Sequence, residues 1–168
     1  PKDEANKGYD LFQKPYLEIL WYIQEAIKSA QIENNNFIYT LDDFCYKPIS
    51  GEGCLVTSPL EYYQDDLEKV EAIDMTEGSP TNPKTVAQCI PSGDDSERVC
   101  FDSIGVPVMS FAIFGDITCE GDSGTDCDPC IIDASGLQVS FLLTKNSYSF
   151  ETAQQWEDEV FQANIKSF

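Results

Sequence analysis

The sequence predicts an α+β fold, a mixed or antiparallel sheet packed against two long helices and fastened by local disulfides. Apolar residues step by three and four near both ends of the chain, at Leu20, Ile23, Ile27 and Ala30 and again at Ala153, Trp156 and Val160. That is the spacing of a helix face turned inward. Between these segments lie short apolar runs with no regular alternation of strand and helix, which argues against a parallel, doubly wound sheet. Two cysteine pairs at short separation, Cys45 with Cys54 and Cys89 with Cys100, suit local disulfides. With 168 residues, 42% of them hydrophobic, the chain is long enough to close a core as a single domain over residues 1–168.

The first helix is expected from Leu11 or Pro15 to Glu33, ended by Asn34-Asn35-Asn36. A short strand over Phe37 to Leu41 then leads into the first cysteine loop. Ser58-Pro59-Leu60-Glu61 places a capping serine, a proline at the first helical position and a glutamate at the third, which predicts a helix running to about Val70. Residues 71–84 hold Gly78, Ser79, Pro80, Asn82 and Pro83 and read as an exposed loop. Val99 to Ile117 reads as buried extended chain broken at Gly105-Val106-Pro107, and Asp116 to Asp133 as an acidic, glycine-rich excursion. Leu137 to Thr144 is expected as a strand. Ser147 or Ser149 then caps a closing helix from about Phe150 to Asn164.

Charge and composition remove whole classes of function. The chain carries 30 Asp+Glu against 10 Lys+Arg, a net charge of −20, and no histidine. Without imidazole, Ser-His-Asp and Cys-His nucleophile pairs and histidine-bearing zinc sites are excluded, most common hydrolase chemistries go with them, and no cofactor is expected. Arg98 and scattered lysines form no basic patch for a phosphate backbone, so nucleic acid is not an expected partner. Anionic membrane surfaces are disfavoured for the same reason. A field this negative favours a neutral partner or a protein with a cationic face.

The seven cysteines point to an oxidising, extracytoplasmic compartment. Zinc is the competing explanation, but only Cys127 to Cys130 has knuckle spacing. Within Cys119 to Cys130 one pair can close, Cys119 with Cys130 or with Cys127, and the thiol left over either stays free, pairs with a segment outside this chain, or shows the short-loop pairing to be wrong. Asp122-Ser123-Gly124-Thr125 matches the string of aspartic proteases, yet Glu120 and Gly121 precede it where those enzymes place an apolar strand, and a solvated turn is the plainer reading. The same stretch offers Asp116, Glu120, Asp122, Asp126 and Asp128 as oxygen donors for calcium, without the EF-hand spacing. Together with the dithiol Cys127-Asp128-Pro129-Cys130, it makes a secreted acidic calcium-binding or redox domain the alternative from another class. The chain opens PKDEANKGYD without a signal pattern. Its longest apolar stretch, Ile104 to Phe114, falls short of the length needed to span a bilayer, so a membrane parent would contribute this chain as an excised soluble piece. Tyr9 and Phe12, aromatic in polar surroundings, suit either an interface anchor or packing back on the first helix.

The order of these pieces resembles the middle luminal domain of the Niemann-Pick type C sterol transporter family, relatives of Patched. The resemblance rests on LDDFCYKPISGEGCLVTSPLEYYQ, Leu41 to Gln64: a cysteine, a proline three residues later, a second cysteine, an apolar run and a helix carrying Tyr63-Gln64 in the place of that family's Tyr-Phe-Gln. It rests also on the strand LQVSFLLT before the helix QQWEDEVF, whose Trp156 and Glu157 resemble the family's Trp-Glu pair. It covers nearly the whole chain, Cys119 to Cys130 having no counterpart. The resemblance implies a non-enzymatic domain of a larger multi-span transporter, on the lumenal side of an endosomal, lysosomal or vacuolar membrane and beside the other domains of that transporter. It also implies docking of a soluble luminal sterol-carrier protein through two protruding loops, so that cholesterol or a related sterol is handed on. By position the first loop is Gly8, Tyr9, Leu11 and Phe12, and the second lies in residues 71–84 with Ile73 and Met75 as its large apolar members. The second loop carries no aromatic pair where the family's does, so a Patched-like lipid transporter ectodomain with another partner is the alternative on the same fold.

Overall fold

The structure, a computed structural model, describes residues 10–86, 90–91, 98–119, 131–144 and 150–161. Helix α1 (Lys14–Ser29) stops well before Glu33, because the asparagine run makes a hairpin and not a helix end. Asn35 and Asn36 both adopt left-handed backbone, at φ 53° and 64°. A two-residue turn needs that conformation at both central positions, and asparagine tolerates it best among residues with a side chain. The chain therefore folds back as β1 (Gln31–Asn34) against β2 (Phe37–Thr40), with Asn34 opposite Phe37. Leu41 then opens a short helix α2 (Leu41–Phe44), where Asp43 Oδ2 accepts from Thr40 N at 2.8 Å.

After β3 (Val56–Thr57) the helix expected to reach Val70 is divided. Ser58 Oγ accepts from Leu60 N at 3.2 Å and caps a 3-10 turn, Pro59–Tyr63. Gln64 and Asp65 then turn left-handed, at φ 56° and 54°, and Asp66 caps α3 (Leu67–Glu71) by accepting from Glu68 N at 2.9 Å. A short polar side chain competing for backbone N–H groups starts a new helix here in place of extending the old one. Next come α4 (Pro83–Val86), the antiparallel pair β4 (Ile90–Pro91) and β5 (Arg98–Val99), and α5 (Ser110–Ile113). The acidic excursion begins and ends in a hairpin, β6 (Phe114–Cys119) against β7 (Ile131–Leu137). Beyond β8 (Ser140–Phe141), helix α6 (Phe150–Trp156) widens into a π turn, Glu157–Phe161. The α+β class holds, with two corrections that concern the described residues: the strands pair two by two, and of the two long helices expected α1 is formed with 16 residues, whereas the closing one is α-helical over Phe150–Trp156 before its π turn.

The chain packs as two units. One takes in the described residues of Pro1–Glu18 and Thr57–Val139. Its interior is aromatic: Phe12 is wholly buried, edge-on to Phe114 at 4.6 Å and tilted against Tyr62 at 6.1 Å, while Tyr62 stacks on Phe114 at 6.0 Å. Such pairs add roughly 0.5–1.5 kcal/mol beyond the burial of their area. Leu17, Leu60, Val70 and Ile113 complete this interior.

The other unit takes in the described residues of Ile19–Val56 and Ser140–Phe168. Ile27, Ile32, Leu41, Phe44, Ala153, Trp156 and Val160 form its core, so the inward faces expected at Ile27 and at Ala153, Trp156 and Val160 are buried. Trp156 Nε1 donates to Ala30 O at 3.3 Å. The Cys45–Cys54 disulfide forms as expected, with Cα atoms 5.4 Å apart. The strand expected over Leu137 to Thr144 is divided by its partners. Leu137 lies opposite Phe114 in the first unit, whereas Leu143 lies opposite Cys45 and Leu142 O accepts from Tyr46 N at 2.7 Å in the second. Cys100 is disulfide-bonded. Cys89, its expected partner, lies outside the described residues, as do Cys127, Cys130 and the side chain of Cys119.

The left-handed turn gives a direct test. Asn36→Gly should leave stability unchanged or slightly raised, whereas Asn36→Val should lower it by about 1–2 kcal/mol, because a β-branched side chain strains left-handed backbone. Urea denaturation reads the difference, and equal midpoints for the two variants would contradict the turn.

Candidate functional site

The first expected loop leads into α1. Gly8 and Tyr9 lie outside the described residues. Leu11 is half-buried, and its N–H donates to Ala134 O at 2.8 Å. Phe12 requires a correction, because it is buried among Tyr62 and Phe114. It is not an exposed anchor. Its ring supports the loop from beneath.

In the second loop Ile73 is also buried, at 5% exposure, whereas Met75 is 40% exposed. The apolar pair expected there is thus one support and one presented side chain. Between them the chain is tied down by polar groups. Asp74 Oδ1 accepts from Thr76 N at 3.0 Å and from Thr76 Oγ1 at 2.6 Å, and Asp74 N donates to Thr81 Oγ1 at 3.0 Å. Asn82, buried, donates through Nδ2 to Met75 O at 3.0 Å and Thr76 O at 3.3 Å, and its Oδ1 accepts from Lys84 N at 3.0 Å. Tyr63 OH donates to Thr81 O at 3.2 Å. Gly78 turns the tip at φ 77°, where only glycine avoids backbone strain. Asp74 and Thr81 were not singled out by their sequence, and Asn82 only as a turn former. Their cues were local: a hydroxyl two residues after an aspartate, and asparagine before proline, both turn-forming patterns.

The resulting tip is rigid and acidic. Asp74 and Glu77 are exposed beside Met75. The hydrogen bonds from Thr76 hold the Asp74 carboxyl below its usual range. Burial pushes the Tyr63 phenol far upward, so it remains a hydrogen-bond donor at any pH the domain meets. A preordered loop loses little conformational freedom on contact with a partner, and methionine is an adaptable apolar contact. This arrangement is suited to protein recognition.

The other candidates lie elsewhere in the sequence. Asp42, Cys45 and Cys54 lie within metal-ligand reach of one another, but the two sulfurs are bonded to each other and Asp42 pairs with Lys47 at 2.6 Å. Asp116 falls on β6. Glu120, the Asp122 to Thr125 string, Asp126, Asp128 and the Cys127 to Cys130 dithiol lie outside the described residues. Among the described residues no helix is long and apolar enough to cross a membrane.

Comparison with known proteins gives two findings. A family model described as "NPC1, middle luminal domain" matches residues 2–168. The "NPC intracellular cholesterol transporter 1 homolog 1" of Caenorhabditis elegans is 24% identical over 170 residues, covering 90% of this chain but 12% of that protein.

The loop makes two predictions. Asn82→Ala strips the carbonyls of Met75 and Thr76 of a buried partner, and should lower stability by about 1–2 kcal/mol in chemical denaturation. Because the folded pKa of Asp74 is lowered, its contribution is fully present above the ordinary carboxylate pKa of about 3.9 and is lost as pH falls through the lower folded value. Thermal midpoints of the wild type and Asp74→Asn should therefore differ by a constant amount from pH 7 to pH 5, the gap closing only in stronger acid. A gap that shrinks already between pH 7 and pH 5 would contradict this.

Proposed function

The chain belongs to the NPC1 middle luminal domain family, and from that premise we propose that it is a non-enzymatic, lumenal binding module of a larger membrane transporter of cholesterol or a related sterol. The observation that carries the proposal is the family match across residues 2–168. The module docks a soluble luminal sterol-carrier protein, presenting Leu11 from one loop and Met75 from the other. Phe12 and Ile73 hold those loops from within. The preordered second loop supports this reading, since docking then costs little ordering entropy. The net charge of −20 supports a carrier with a cationic face, because complementary fields speed encounter and fix orientation. The disulfides suit the lumenal side of an endosomal, lysosomal or vacuolar membrane. With no histidine in the chain, any change in docking between pH 5 and pH 7 would arise from raised carboxylates here or from the carrier.

A second reading on the same fold is favoured by one observation. Met75 is the exposed large apolar side chain of the second loop among the described residues, a small anchor for a standard interface. A Patched-like transporter with another partner would keep the fold and lose this contact. Calorimetry against the sterol-loaded soluble carrier from the same source, at pH 5 and pH 7, separates the two. Micromolar binding, weakened at least about tenfold by Leu11→Asp or Met75→Asp, is the expected result. Absence of binding at both pH values would reject carrier docking and leave the Patched-like reading.

A further inference from the structure

Resting on the two-loop reading, we propose that Asp10 and Lys84 are positioning residues that clamp the two loops into one rigid docking unit. Lys84 closes the second loop on its carboxyl-terminal side, and its Nζ lies 3.2 Å from Asp10 Oδ2, at the entry to the first. The Asp10 carboxylate is 13% exposed. It also accepts from Phe12 N at 3.0 Å and from Ala134 N at 3.5 Å, so one side chain binds the first loop to itself, to β7 and to the second loop. Lys84 is held as well, its backbone N–H bonded to Asn82 Oδ1. On the other side, Lys14 Nζ from the first turn of α1 donates to Glu71 O, where the second loop begins. A chain with 10 cationic side chains against 30 anionic ones places two of the 10 across the bases of these loops.

Most exposed ion pairs contribute little, because two long side chains must be ordered to make them. Lys14 with Glu18 and Lys28 with Glu25 are of that kind, joining neighbours on one helix. The Asp10–Lys84 pair differs on two counts. The Asp10 carboxylate is already fixed by backbone N–H groups, and the residues joined lie far apart in sequence, so the pair constrains tertiary geometry. Loops clamped in this way meet a partner together, and the second contact follows the first as an intramolecular event.

Amide hydrogen exchange on the 168-residue chain decides the proposal without a partner. In Lys84→Met, the Leu11 amide, bonded to Ala134 O, and the Thr85 and Val86 amides, bonded to Asn82 O, should exchange at least about fivefold faster through local opening. Lys84→Arg should restore the wild-type rates, and Lys28→Met should change none of them. A Leu11 amide that exchanges at the wild-type rate in Lys84→Met would overturn the clamp, whatever the carrier does. Where the carrier binds, Leu11→Ala and Met75→Ala should be non-additive in the wild type and additive in Lys84→Met. Additivity in the wild type would overturn the clamp's part in docking. Absence of carrier binding would overturn the docking reading, with the clamp still judged by exchange.

Discussion

The burial of Phe12 against Phe114 and Tyr62 is the contact on which the candidate surface depends. It fixes the chain just before α1, and so fixes where Asp10 and Leu11 emerge. With Phe12 in place, the Asp10 carboxylate reaches Lys84 and the Leu11 amide reaches Ala134. An aromatic side chain that would be worth a few kcal/mol as a partner anchor is worth a similar amount as a core residue. It cannot be both in one conformation. Here the interior holds it, and the presented surface is left to smaller groups around it.

The parts of the fold legible in the sequence were those governed by one strong local rule. Helical spacing placed Ile27, Trp156 and Val160 inward, and the short cysteine separation joined Cys45 to Cys54. The failures arose where two rules competed. Asn34-Asn35-Asn36 satisfies a helix stop and a two-residue hairpin turn equally well, and cross-strand pairing of Ile32 with Tyr39 favours the hairpin. Ser58 and Glu61 signal a helix start correctly, but Asp66 signals another soon after, and nothing local says which governs the residues between. The run from Leu137 to Thr144 alternates as one strand while its partners lie in separate parts of the chain.

For the candidate site the resemblance pointed to two loops and weighted large apolar residues, two of which, Phe12 and Ile73, face inward. What shapes the second loop is Asp74, Thr81 and Asn82, whose side chains are small, polar and satisfied by nearby backbone. Such groups are invisible to a search for hydrophobic anchors. They become visible only when each backbone donor and acceptor of a long loop is asked for its partner.

The Cys45–Cys54 bond bears on how this chain reaches its fold in an oxidising lumen. Its cysteines are separated by 9 positions, so the ends of that segment meet on the timescale of short-loop closure, far sooner than distant parts of the chain. With seven cysteines, the thiols of this chain cannot all pair among themselves, and a thiol without a partner within it is open to exchange. A pair that closes early and locally removes two sulfurs from that competition during synthesis. The antiparallel contacts of Cys45 with Leu143 and of Tyr46 with Leu142 join residues far apart in sequence, so a local bond does not wait on them.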